Sequence, residues 1–215
     1  MSAPSSFFAG LPRRFAPAFF GLWLVVICVF GAWAIAQHAV PIPAAAVVAQ
    51  PAWPLPSAWH ILGANCGCSA SVAQDLAHRG PQPGWTEKVC LVGSDPALAA
   101  SLRKAGFNVE LTDAEILAKT QGIQGAPWLV LYFPDGRIGY SGGYAAARPG
   151  TPGTSNRAET LMAAVAQGET VKSLPSFGCA TSQALRAQLD PVGLRYPATA
   201  ATTANFTPTP NPPPL

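Results

Sequence analysis

Cys66 and Cys68 stand two residues apart in Cys66-Gly67-Cys68, at the point where an apolar run gives way to a helical pattern. Two thiols at the opening of a helix face unpaired backbone N–H groups and the positive end of its dipole. Both effects favour thiolate, the form that attacks disulfides or holds soft metal ions. The chemistry open to this pair is therefore thiol–disulfide exchange or thiolate coordination. Two further cysteines follow. Cys90 lies inside an apolar strand pattern and reads as a small buried hydrophobe. Cys179, in Ser176-Phe177-Gly178-Cys179-Ala180-Thr181-Ser182, lies beyond the main run of elements. It could bond Cys66 or Cys68 and tie the C-terminal helix over them, serve as a structural or third redox thiol, or stay a thiol. Spacing alone does not choose among the pairings of these four residues.

The elements that must position these residues alternate. Trp59–Ala64 has the length and composition of a short buried strand, and Ser69–Ala77 reads as a helix with Val72, Ala73 and Leu76 on one face. A Gly/Pro loop covers Arg79–Trp85, and Glu87–Gly93 follows as a strand. Ser94 or Asp95 can cap the next helix, which has Pro96 in its first turn and runs to about Ala105 before Gly106. Phe107–Leu111 is a third strand, and Thr112 or Asp113 caps a helix through Lys119. Trp128–Phe133, the turn Pro134-Asp135-Gly136-Arg137 and Ile138–Ser141 form a hairpin. Helices over about Asn156–Gln167 and Ser182–Leu189 close the run. This order predicts an α/β fold, a mixed β-sheet flanked by helices on both faces.

Charge is sparse, at 11% of residues, and the net charge of +3 comes without a basic cluster, which disfavours nucleic acid as a partner. Residues 19–36, FFGLWLVVICVFGAWAIA, carry no charge. As a helix they would span about 27 Å, close to the hydrocarbon thickness of a bilayer. Arg13 and Arg14 precede them, so the positive-inside rule predicts a cytoplasmic N-terminus (residues 1–18) and export of the rest. The expectation is a single-pass anchor in the cytoplasmic membrane. The alternative is a cleaved signal peptide, for which Ala32-Trp33-Ala34 and Ala34-Ile35-Ala36 supply small-x-small sites. Residues 37–57 read as a Pro/Ala-rich linker holding the domain off the membrane, 58–190 as the domain with its helical extension, and 191–215 as a disordered Pro/Thr-rich tail. Cysteines exported in this way face an oxidising compartment, where disulfides persist.

The element order, a cysteine pair after the first strand, and Gly125-Ala126-Pro127-Trp128 before the hairpin together resemble the thioredoxin superfamily over roughly residues 55 to 170. The resemblance implies a thioredoxin-like fold outside the cytoplasmic membrane, with a cis Ala126–Pro127 bond lying against the thiols. It implies thiol–disulfide oxidoreductase activity on exported proteins, with Cys66 attacking from a position near solvent and Cys68 resolving. Ala126 and Pro127 would bind the partner as an added strand, with Trp128 beneath or beside that groove. The sequence departs from the family at the active site, where C-x-C replaces C-x-x-C. If Cys68 takes the resolving position, Asn65 takes that of the nucleophile.

Other chemistries find less footing. Thiolates at Cys66 and Cys68 would suit Cu(I), making a metallochaperone one alternative; a redox-inactive thioredoxin-fold binding module is another. Zinc lacks a second Cys or His pair at ligand spacing, and no cofactor is expected. His60 reads as a polar residue at a strand end rather than a ligand. Gly139-Tyr140-Ser141-Gly142-Gly143 lacks the strand–turn–helix context of a hydrolase elbow, and its glycines read as a bend leaving the sheet.

Overall fold

The computed structural model describes residues 16–37, 41–147, 155–191, 193 and 196. They fall into two units, one ending at Pro41 and the other starting at Ile42. In the first unit, α1 (Ala16–Gln37) is a helix of 22 residues without a charged side chain. Its large apolar side chains from Phe19 to Phe30 are exposed. Over the residues whose side chains are described, 17–32, no helix is long and apolar enough to cross a membrane. As backbone, α1 continues to Gln37.

The second unit is built on a sheet. In chain order its elements are β1 (Ser57–Gly63), α2 (Gly67–Arg79), β2 (Thr86–Val92), α3 (Pro96–Lys104), β3 (Asn108–Thr112) and α4 (Ala114–Gln121). They continue with β4 (Gly125–Ala126), β5 (Trp128–Tyr132), β6 (Ile138–Gly142), α5 (Ala158–Ala166), β7 (Cys179–Ala180) and α6 (Gln183–Leu189). Five strands lie in the order β3-β2-β1-β5-β6. β1, β2 and β3 run parallel; β5 is antiparallel to β1, and β6 to β5. This is the mixed sheet that the alternation predicts.

Every residue of β5 is buried, because helices cover both faces of the sheet. Strand periodicity divides the core accordingly. On one face Ala58, Leu62, Val89, Leu91, Leu129 and Leu131 pack with Val72 and Leu76 of α2, Leu102 of α3 and Leu161 of α5. On the other, Ile61, Cys90, Val92, Trp128, Val130 and Tyr132 pack with Leu117 of α4 and Leu185 of α6. The predicted caps resolve to the aspartates. Asp95 Oδ1 accepts the Leu98 N–H at 3.0 Å, and Asp113 Oδ1 accepts those of Glu115 and Ile116 at 2.8 and 3.0 Å. Such a cap contributes about 1 kcal/mol.

Two expectations change. The spacer role given to residues 37–57 does not hold from Ile42 onward, because this stretch lies along the domain. Ile42 is buried and its N–H donates to the Ser176 carbonyl at 2.7 Å. Gln50 N–H donates to Gly136 O at 3.0 Å and Trp53 N–H to Pro134 O at 2.7 Å, so the prolines extend the chain onto the hairpin turn. At that turn Gly136 has φ 82°, a conformation that favours glycine. In the segment predicted as a disordered tail, Tyr196 is half-buried, and its hydroxyl accepts the Ala180 N–H at 3.0 Å. The rest of that tail, apart from residues 191 and 193, and residues 1–15 of the segment expected to be cytoplasmic lie outside the described residues.

Candidate functional site

β1 ends at Gly63, and the chain turns through Ala64 and Asn65 into α2. Asn65 makes the turn at φ 56°, the left-handed region that asparagine enters more readily than most residues. Cys66 is the N-cap of α2, with extended backbone at φ −111° and ψ 114°. Its sulfur lies 3.7 Å from the Ala126 carbonyl oxygen. A Cβ placed on Gly63 would lie 3.4 Å from Ala126 Cβ and 3.5 Å from Cys66 Cβ, so the end of β1 is where these groups meet. Ser69 ties the junction together, its hydroxyl accepting the Gly63 N–H at 2.9 Å.

The third thiol arrives from the far end of the chain. β4 and β7 form an antiparallel ladder in which Gly125 faces Ala180 and Ala126 faces Cys179. Cys66 thereby interacts with the side chains of both Cys179 and Cys68, and the Cys66 thiol is held well below its ordinary range. The first cause is the hydrogen bond with Cys179, the next that with Cys68; the hydroxyl and backbone N–H of Ser69 add to them. Burial works in the opposite direction and is outweighed. No disulfide joins any of the five cysteines. Among the described residues, no group of three or more His, Cys, Asp or Glu side chains is placed to hold a metal ion.

Three sequence expectations meet this geometry. The Ala126–Pro127 bond is cis, as the resemblance implies. Cys66, expected near solvent, is instead only 4% exposed, while Cys68 is half-buried. Ala126 of β4 and Cys179 of β7 both lie against its sulfur. The backbone of Ala126, expected to take an incoming partner strand, already pairs with the chain's own Cys179. Trp128 packs in the core with its indole N–H donating to Ser141 Oγ at 3.0 Å, which gives that serine a structural partner.

β7 is the end of a longer strap. Ser173 Oγ donates to Ser141 O at 2.5 Å, Gly143 N–H to Leu174 O at 3.0 Å, and Ser176 Oγ to Pro127 O at 2.5 Å. Thr181 and Ser182 N–H groups both donate to Gln124 O, at 2.8 and 3.1 Å. A Cβ on Gly143 would lie 2.1 Å from Pro175 O, and one on Gly178 would lie 1.9 Å from Ala126 O. These glycines permit the strap's close approach, a use that the sequence reading missed. Glycines at 125, 142, 143 and 178 are the signal that could have found it, since scattered glycines often mark such contacts.

The other candidates lie elsewhere. His60, predicted as a polar strand end, is fully buried in a network of its own. Its Nε2 meets Glu87 Oε2 at 2.7 Å and its Nδ1 the Tyr144 hydroxyl at 2.8 Å. Arg79 donates to both Glu87 oxygens, at 3.0 and 2.6 Å. Burial, the first cause, holds His60 below its usual range, so the neutral ring donates from Nε2 to the carboxylate. Burial pushes Glu87 upward, but hydrogen bonds from His60 and Arg79 outweigh it and bring the group down to about 2. Cys90 is buried as predicted, which pushes its thiol up to about 11.

No family model and no curated protein matches the chain. Among solved structures, it is similar to an uncharacterized conserved protein from Geobacillus kaustophilus. That match has a TM-score of 0.47 and 15% identity over 67% of this chain and 90% of the other. A hypothetical protein from Sinorhizobium meliloti 1021 gives a TM-score of 0.43 and 21% identity, over 66% of this chain and 96% of its own.

Proposed function

We propose that the protein is a thioredoxin-like thiol–disulfide oxidoreductase, held in the cytoplasmic membrane by α1 with its domain outside, acting on exported proteins. The observation that carries the reading is the cluster of Cys66, Cys68 and Cys179 at the N-terminus of α2, in which Cys66 is held toward thiolate. A thiolate there attacks one sulfur of a client disulfide, forming a mixed disulfide and releasing the other client sulfur as thiolate. A second thiol of the cluster then attacks Cys66, closes an internal disulfide and releases the client reduced. The reverse sequence oxidises a client. The positive end of α2 stabilises the thiolate at both stages.

The uncharged length of α1, with large apolar side chains exposed from Phe19 to Phe30, supports the membrane assignment. Its backbone covers about 33 Å at helical rise, enough for the hydrocarbon layer.

The experiment is exchange with a disulfide-bonded reporter peptide by the full chain in detergent. The wild type is expected to accelerate exchange, and Cys66→Ser to fall to background while keeping its circular dichroism. Full activity in Cys66→Ser would overturn the assignment of the attacking thiol.

A further inference from the structure

Resting on that reading, we infer that Cys179 is the resolving thiol, and that the strap carrying it is a built-in occupant of the client groove. The register decides between Cys179 and Cys68. Cys179 is directly opposite Ala126, and Ala126 O is the group that Cys66 Sγ contacts. A client strand docking on β4 would need the same backbone that β7 uses. The strap therefore holds Cys179 where a client would present its own cysteine, at the sulfur of Cys66. Cys68 is two residues from Cys66 on the same chain, where closing a bond means closing a tight ring; Cys179 reaches Cys66 from a separate strand without that constraint.

The cycle follows from this placement. β7 leaves β4, and Cys66 is uncovered. The Cys66 thiolate attacks a client disulfide; one client sulfur departs as thiolate and the other stays bonded to Cys66. β7 then returns to β4, competing with the client for the Ala126 backbone. Cys179, its proton passed to solvent, attacks Cys66 Sγ and expels the second client sulfur as thiolate. Two protein thiols have become one disulfide and one client disulfide has become two thiols, so electrons and atoms balance. Cys68 stays beside Cys66 as a positioning residue.

Gly178 makes the strap testable apart from the thiols. A methyl group there would lie 1.9 Å from Ala126 O and 2.7 Å from Pro127 Cδ, against backbone and a ring that cannot swing aside. Gly178→Ala should therefore keep β7 from seating.

The test is disulfide mapping by mass spectrometry on the full chain in detergent after treatment with oxidised glutathione. In the wild type a Cys66–Cys179 bond is expected, and in Cys68→Ser the same bond. In Cys179→Ser a glutathione adduct should persist on Cys66. Gly178→Ala should show the same persistent adduct with all thiols intact, and faster alkylation of Cys66 by a bulky maleimide. A Cys66–Cys68 bond in the wild type, with the adduct cleared as fast in Cys179→Ser, would overturn the role of Cys179 and leave exchange at Cys66 standing. Absence of any glutathione adduct or disulfide in every variant would overturn both readings. If Gly178→Ala does not fold, the wild type and the two serine variants still decide the matter.

Discussion

Ala126 is shared between two cysteines: its backbone pairs with Cys179 across the β4–β7 ladder, and its carbonyl oxygen lies 3.7 Å from the sulfur of Cys66. Two residues from distant parts of the chain are thus brought to one peptide group. Most of the chemistry proposed for this chain follows from that meeting.

Cys66 should react as a thiolate at neutral pH. Its acidity is raised chiefly by the hydrogen bond with Cys179. Alkylation of Cys66 by iodoacetamide, read by peptide mass, should therefore change little between pH 6 and pH 8, where an ordinary thiol of pKa about 8.5 would speed up roughly in step with hydroxide. Cys179→Ser removes the largest stabilising contact and should move the profile toward higher pH. A wild-type rate that climbs through the whole range like a free thiol's would contradict the thiolate.

Acid should loosen the fold before it reaches ordinary carboxylates. His60 and Glu87 both bind protons less readily folded than unfolded. The unfolded chain therefore takes up protons that the folded network refuses, and stability falls as pH drops. The fall begins below about 6.5 with His60 and continues below about 4.5 toward 2 with Glu87. Urea midpoints of the full chain in detergent should show it, and His60→Gln should remove the first limb. Equal stability at pH 7 and pH 5 would contradict the buried neutral histidine.

Glu87→Ala should be among the costliest single changes. It strips Arg79 and His60 of a carboxylate whose side chain is inaccessible to solvent. Removing one partner of such a buried pair costs about 3–5 kcal/mol, measured as a loss of unfolding free energy. A loss under about 1 kcal/mol, the scale of a surface ion pair, would show the network to be solvated.

Gly143→Ala should weaken the strap without touching a thiol. The added methyl meets Pro175 O and the Ser176 backbone. The expected cost is about 1–3 kcal/mol in urea unfolding, with faster alkylation of Cys66. An unchanged midpoint would mean that residues 173–176 do not lie against the sheet.

Much of the fold was legible because its elements carry local signals. Trp128–Tyr132 is apolar throughout, Asp113 precedes a helix, and Asp135-Gly136 marks the hairpin turn, each readable within a few residues. Cys66 and Cys68 were legible as a pair for the same reason. The strap was not. β4 and β7 are two residues each, too short for any periodicity, and their pairing depends on residues far apart in number. Ile42 looked like linker because the prolines around it say only that the chain is extended, not what it lies on. His60 looked like a strand end because its partners, Glu87 and Tyr144, come from distant segments. What sequence hid in each case was a tertiary contact between short or irregular pieces, and the β4–β7 pairing is the one that brings Cys179 to Ala126.

The most direct measurement is a redox titration of the full chain in detergent across a glutathione series, with Cys66 followed by mass after alkylation. One reversible two-electron transition is expected, in which Cys66 passes from its reduced form to an internal disulfide, absent in Cys66→Ser. A Cys66 that remains a thiol across the whole series, or a disulfide there that no glutathione ratio reduces, would contradict it.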